Sequence, residues 1–162
     1  VGYTTEFDGR FNLDKPLTEA HAAYLRALAE TRRMKRNPEL CAKRPDPLRE
    51  AVGLPVGEEG EYFVAAAGTM GQSHEDDVVE YNWPPKTQPG LWLQWIPTKD
   101  LAGFEWDGTE KFYNYEEWLV YLVENFLKPW GYVLNGSVEW SGEEGTDNGY
   151  LLVEDNEVST TM

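Results

Sequence analysis

The one basic patch of the chain, Thr31-Arg32-Arg33-Met34-Lys35-Arg36 followed by Lys43-Arg44, is the first place where residue type and spacing suggest chemistry. Guanidinium groups this close together can fork onto phosphate oxygens. Arg32, Arg33 and Arg36 are therefore candidate donors of an anion site for a phosphate-bearing small molecule such as a nucleotide. The same cations also suit the carbonyl end of a helix, or contact with the protein's own acidic half. A second group is aromatic. Tyr81, Trp83, Trp92, Trp95 and Trp106 lie in or beside segments rich in glycine and proline. In the run LWLQWIP, alternation places Leu91, Leu93 and Trp95 on one face and Trp92, Gln94 and Ile96 on the other. A tryptophan beside a glutamine on an outer face is a candidate ligand or interface pair. Trp92 covering a small second core is the competing reading.

Nucleophilic and metal chemistry find little footing. The two histidines, His21 and His74, have no serine or cysteine at a motif spacing, so a triad is unsupported. One cysteine and two histidines cannot build a structural zinc site. Cys41 lies in the basic stretch from Lys35 to Arg44, which favours its thiolate, yet an inert surface thiol is the simpler expectation. Gly68-Thr69-Met70-Gly71 lacks the lysine of a phosphate loop and reads as a turn. Carboxylates are abundant: Glu105, Asp107 and Glu110, then Glu139, Glu143, Glu144 and Asp147 near a hairpin. The run EEGTDNG resembles a calcium loop only loosely, and strands rather than helices flank it. No catalytic residue, metal ligand or cofactor is assigned. An enzyme acting on a sugar or nucleotide is the weakest reading.

Charge supplies the stronger argument. The 162 residues carry a formal net charge of −15. The first fifty residues hold ten Lys/Arg against eight Asp/Glu, whereas the remainder holds four against twenty-one. Such a field repels nucleic acid and anionic membranes and attracts basic protein surfaces. The hairpin carboxylates Glu139, Glu143, Glu144 and Asp147 join Tyr81, Trp92, Gln94, Trp95 and Trp106 as candidate contacts. With 41% hydrophobic and 14% aromatic residues the chain is expected to fold as one domain over 1–162. No leader pattern opens it, no run spans a bilayer, and a single cysteine fits a reducing cytoplasm.

These side chains need positioning elements. The opening GYTTEFDGRFNLD reads as a strand with a bulge or tight turn at Gly9. Thr18 caps a helix whose stripe is Ala22, Leu25, Leu28 and Ala29, with Arg32 to Arg36 at its end and Asn37-Pro38 as its stop. Asp46-Pro47 starts a short helix. EYFVAAAG, LWLQWIP and GFEWDG read as strands, and YNWPPKTQPG as irregular. Asn114 and Glu117 form a capping-box pair for a second helix with Trp118, Leu119, Leu122, Val123 and Phe126 inward, ended by Pro129 and Gly131. YVLNGSVEWSG and YLLVEDNEV then make a hairpin. The order predicts an α+β fold: a twisted, mostly antiparallel sheet with two helices on one face, an elaboration of a ferredoxin-like core.

The blocks GYTTEFDGRFNLDKPLT, ETRRMKR, QPGLWLQW, EWDGTEKFYNYEEWL, FLKPWGYVLNGSVEW and VEDNEV resemble a family of small hypothetical proteins of bacteriophages, prophages and soil bacteria. The likeness covers nearly the whole chain. That family carries no assigned activity, so no catalytic residue comes with it. It implies a phage-type inhibitor of a host or defence protein, in the host cytoplasm, or a sponge for a signalling nucleotide. The leading expectation is a non-catalytic protein that meets a basic partner through an acidic, tryptophan-bearing surface. A nucleotide binder built on the arginines is the alternative.

Overall fold

The structure, a computed structural model, describes residues 4–65 and 75–161. It is an α+β fold whose residues gather into two compact units, Val1–Leu17 with Gln94–Met162, and Thr18–Leu93.

The first unit is a six-stranded antiparallel sheet. Its strands are β1 (Glu6–Leu13), β4 (Trp95–Pro97), β5 (Gly103–Trp106), β6 (Leu134–Ser141), β7 (Asn148–Glu154) and β8 (Glu157–Thr161), in the spatial order β4-β5-β1-β6-β7-β8. The first four reproduce the strand order of a split βαβ plan, and β7 and β8 extend it. β1 lies against β6 over its full length, from Glu6 opposite Ser141 to Leu13 opposite Leu134. Gly9 makes neither a turn nor a break in that register. Its φ of +112° bends the strand where a Cβ would sit 3.2 Å from the Ser137 carbonyl oxygen. The predicted partner strand YLLVEDNEV is in fact two strands. Asp155 and Asn156, at φ +48° and +70°, turn β7 into β8 with the two left-handed residues of a tight hairpin. Asn135 clamps this turn: its Oδ1 accepts from the Asp155 N–H at 2.9 Å.

The inner face of the sheet is aromatic. Phe7 stands at its centre, with ring centroids 4.9 Å from Tyr115, 5.2 Å from Trp95, 5.3 Å from Trp106 and 5.9 Å from Phe112, all edge-on. Edge-to-face pairs bring the positive rim of one ring onto the negative face of another. Helix α4 (Tyr115–Leu122) covers this face, and Trp118, Leu119, Leu122, Val123 and Phe126 are buried as their spacing predicts. The capping box does not form. Asn114 adopts φ +59° and its side chain makes no cap bond. Beyond Leu122 the helix widens into a π-helical segment, Val123–Leu127, in which Lys128 N–H reaches back five residues to the Val123 carbonyl. Pro129, which has no N–H to donate, follows directly within the last turn, α5 (Lys128–Trp130). Gly131 at φ +86° closes it. Gly131 N–H donates to Lys128 and Tyr132 N–H to Leu127, the paired bonds of a Schellman end.

The second unit is held differently. Thr18 caps α1 (Glu19–Glu30), accepting from His21 N–H at 3.1 Å, and Ala22, Leu25, Leu28 and Ala29 are buried. The helix ends at Glu30, before the arginines, because Thr31 turns extended and its hydroxyl donates to the Ala27 carbonyl at 2.7 Å. Asn37 is therefore not a stop. Its side chain caps a new short helix, α2 (Pro38–Cys41), and Asp46-Pro47 opens α3 (Pro47–Ala51) as predicted. Lys35–Arg36 (β2) pairs with Val78–Glu80 (β3). Residues 61–65, expected in a strand, form none; 66–68 lie outside the described residues, as do His74 and the Gly68–Gly71 turn. LWLQWIP is a strand only over its last three residues.

Trp118 is fully buried, and its indole N–H meets no acceptor among the described residues. Trp118→Ala should cost about 3–5 kcal/mol by opening a large cavity. Trp118→Phe keeps a ring and deletes the orphan donor, so it should cost markedly less. Urea titrations of the two variants check the ordering.

Candidate functional site

The predicted anion donors turn inward. Arg33 and Arg36 are each 2% exposed. The Arg33 Nη2 donates to the carbonyls of Phe63 at 2.8 Å and Glu61 at 3.0 Å, and more weakly to that of Gly60. Those carbonyls are thereby withdrawn from any ladder, which is why EYFVA is not a strand. Arg36 Nη1 lies 2.8 Å from Asp77 Oδ2, and Arg44 Nη1 lies 3.1 Å from Asp77 Oδ1. Arg32 alone lies nearer the surface, stacked 4.4 Å over the Tyr81 ring with Nε donating to the Tyr81 carbonyl. The three guanidinium groups thus share no open face: Arg36 pairs with Asp77, while Arg32 and Arg33 donate to backbone carbonyls.

Cys41 is not at the surface. It is buried, and its thiol donates to Asp77 Oδ2 at 3.2 Å. Burial, the bond to Asp77 and the Asp77 charge push its pKa up to about 12, against the pull of Arg36 and Arg44. The basic stretch therefore fails to activate it. Burial alone would raise the Asp77 carboxyl, but hydrogen bonds from Arg36 and Cys41 and the charges of Arg36 and Arg44 outweigh it, and the net shift is downward.

The aromatic candidates also divide anew. Trp95 is fully buried and its Nε1 donates to the Tyr115 carbonyl at 2.9 Å. Gln94 is 5% exposed and accepts from Trp106 Nε1 at 3.2 Å, so these two brace one another inside the first unit. Trp92 and Tyr81 are half-buried, whereas Trp83 is 67% exposed. The strand alternation misplaces Gln94 because β4 begins one residue later, so the period-two rule does not yet apply at Leu93 and Gln94.

What the structure brings together is carboxylate. On the outer face of the sheet Glu6, Asp8, Glu139, Glu154 and Glu157 are exposed. Asp8 stands directly opposite Glu139, and Glu154 directly opposite Glu157. Tyr150, 46% exposed, is the next cross-strand neighbour of Glu139. Among the described residues none of the five carboxylates enters an ion pair. Glu139 was anticipated; its four companions were not, although the Asp155-Asn156 turn signal would have set Glu154 against Glu157. Glu143, Glu144 and Asp147 sit instead at the β6–β7 turn, where Glu143 accepts from the Thr4 N–H. No group of three or more His, Cys, Asp or Glu side chains among the described residues is arranged to hold a metal ion. No helix among them is long and apolar enough to cross a membrane.

On the opposite, inner side of the sheet, two adjoining recesses of about 250 and 380 Å³ open beside the start of α4, and both are walled by Asn114, Tyr115 and Trp140. Trp140 lies on β6 opposite Gly149 of β7, where a Cβ would come within 2.9 Å of its ring. The missing side chain of Gly149 leaves the room that this indole occupies. Trp140 is 7% exposed, and its Nε1 has no acceptor among the described residues. Sequence alone gave no sign of this recess, because its walls come from segments far apart in the chain.

Comparison of the chain with protein-family models, with curated proteins and with solved structures finds no match.

Two outcomes follow from the buried network. Cys41 should resist a thiol reagent in the native protein and react fully once unfolded, as a timed Ellman assay would show. Asp77→Asn leaves Arg36 short of its nearest counter-charge and should cost about 3 kcal/mol at neutral pH. The Asp77 pKa is lower folded than unfolded, so its contribution is complete above the ordinary carboxylate value of about 3.9 and fades as pH falls through the folded value. The gap between wild type and Asp77→Asn should accordingly narrow in strong acid, read from denaturant midpoints across pH.

Proposed function

We propose that this chain is a non-catalytic binding protein that meets a basic protein surface on the acidic outer face of its six-stranded sheet. The observation that carries this reading is the pairing of like charges, Asp8 against Glu139 and Glu154 against Glu157. Directly opposed like charges weaken a sheet. Here a single face holds two such oppositions, and Arg10 on the same face of β1 is paired with Asp100 instead. A basic partner supplies the relief on binding, and the net charge of −15 speeds its approach. An inhibitor of a host or defence protein, the role implied by the phage-like resemblance, would act in this way by covering a basic working surface. The tryptophans play a smaller part than their number suggests, since Trp95 serves the core. The nucleotide-sponge alternative has less support, because two of its three donors, Arg33 and Arg36, are buried.

The test compares two variants. In one, Asp8→Asn, Glu139→Gln, Glu154→Gln and Glu157→Gln neutralise the outer face. In the other, four exposed carboxylates elsewhere are neutralised through Glu30→Gln, Glu39→Gln, Glu80→Gln and Glu110→Gln. Binding of a fluorescent lysine-rich peptide is followed by anisotropy at low and high salt. The outer-face variant should bind at least about tenfold more weakly, a loss of about 1.4 kcal/mol, while the control stays near wild type. It should also gain roughly 0.2–1 kcal/mol of stability for each like-charge opposition removed. Equal weakening by both variants would reduce the effect to net charge and reject the reading.

A further inference from the structure

An open sheet ends in two edge strands, whose outer N–H and C=O groups have no neighbouring strand to pair with. In the six-stranded sheet these are β4 and β8. The β4 edge is blunted. It runs for three residues, its Trp95 and Pro97 are buried, and Pro97 has no N–H to offer. The β8 edge is not blunted in this way. Its five residues include no proline and no lysine, and they pair with β7 without a bulge from Glu157 opposite Glu154 to Thr161 opposite Tyr150. The tight turn at Asp155-Asn156 fixes which groups face outward. It makes Glu154 and Glu157 a hydrogen-bonded pair, so Ser159 and Thr161 also turn their main-chain groups to β7, whereas Val158 and Thr160 turn theirs away. None of the described residues pairs with those outward groups of Val158 and Thr160. Side chains follow the same alternation: Glu157, Ser159 and Thr161 share the acidic outer face with Glu154 and Tyr150, while Val158 and Thr160 point to the inner side. Glu157 on the edge and the net charge of −15 work against a second copy of this chain and favour a cationic segment.

We propose that β8 accepts an extended segment of the basic partner as a further antiparallel strand, with lysine or arginine at the alternate positions that face the outer side. The choice of a cation rests on the acidic-face reading; the added strand does not. Main-chain hydrogen bonds to Val158 and Thr160 supply the ladder, and the outward side chains supply selection. Antiparallel pairing continues a sheet in which every neighbouring pair is already antiparallel. In that register a partner residue opposite Val158 or Thr160 exchanges both main-chain bonds with β8 and points its side chain inward. The residues between lie opposite Glu157, Ser159 and Thr161, turn their N–H groups away from β8 and carry the cations. Neighbouring strands lie about 4.8 Å apart, so a lysine opposite Glu157 meets that carboxylate and leans towards Glu154 one strand further on. A segment without cations would make the same ladder and leave Glu154 and Glu157 opposed.

The probe is a capped fluorescent peptide, Lys-Thr-Lys-Thr-Lys-Thr-Lys, whose period matches the edge. One version is N-methylated on the backbone at its threonines, another at three of its lysines. The first loses the N–H groups that would meet β8, and the second loses only N–H groups that face away. Binding to the full chain is followed by anisotropy. Methylation at threonine should weaken binding at least about tenfold, while methylation at lysine should leave it near that of the parent peptide. Thr160→Pro deletes one outward N–H without breaking a bond to β7, a change that edge strands tolerate, and should weaken the parent peptide severalfold. If that variant does not fold, the two methylated peptides on the wild-type chain decide alone. A capped serine–threonine peptide of the same length should bind far more weakly than the parent. Equal loss from both methylations, loss from neither, or the reverse pattern would overturn the added strand. Loss of binding on neutralising the outer face, without the methylation pattern, would sink the strand and leave the acidic-face reading standing. Equal binding of the serine–threonine peptide would overturn the basic occupant. A chain that dimerises in sedimentation, and stays monomeric as Thr160→Pro, would give the edge to a second copy and overturn the proposal.

Discussion

The first unit depends on one pairing, that of β1 with β6. β1 contributes the central strand, held on one side by β6 along eight residues and on the other by β5. Neither neighbour is close in sequence, and the whole Thr18–Leu93 unit lies between β1 and β4. Until those distant segments meet, Phe7 and Phe11 have no core to enter. Once they meet, the register decides everything on both faces, because a slip of one residue would exchange them. It brings Phe7 into the aromatic cluster and, by the same alternation, sets Asp8 against Glu139. Core and acidic face are two sides of one register.

The second unit solves a different problem. Part of its interior is built on buried charge rather than on a continuous apolar stripe. Arg33 ties together the carbonyls of a segment that forms no ladder, while Asp77 gathers Arg36, Arg44 and the Cys41 thiol. Asp46 does similar service, accepting from the Val64 N–H and from Arg49 Nε at 2.7 Å. Buried ions are expensive to desolvate, and their worth lies in fixing one arrangement when every hydrogen bond is made. Irregular backbone can be buried here because guanidinium groups and carboxylates stand in for the missing secondary structure.

How much of this was legible in the sequence depended on whether the cause was local. The helix stripes, the Thr18 cap, the Asp46-Pro47 start, the Gly131 end and the β6–β7 hairpin are set by neighbours a few residues apart, and all stand. The end of α1 was misread because four cations looked like a helix terminus, whereas they are spent on distant partners such as Glu59, Phe63, Asp77 and Tyr81. The Asn114–Glu117 box had the right spacing, but the chain arrives at α4 through a left-handed residue that turns the side chain off the amides. The outer-face carboxylates were half visible: period two marks Asp8 and Glu139 as outward, yet only the sheet order makes them neighbours. The recess was invisible, since Thr5, Tyr113, Trp140 and Thr160 converge only through the fold.

The place of β1 has a consequence for chain connectivity. The peptide link between β1 and the rest of its sheet runs through the entire second unit, and covalent continuity contributes only a loop-closure entropy that grows slowly with length. The sheet bonds to β5 and β6 and the packing of Phe7 and Phe11 hold the strand by themselves. A backbone cut anywhere within Thr18–Leu93 therefore leaves β1 a tightly bound but separate piece, and the sheet is a natural candidate for reconstitution from two fragments.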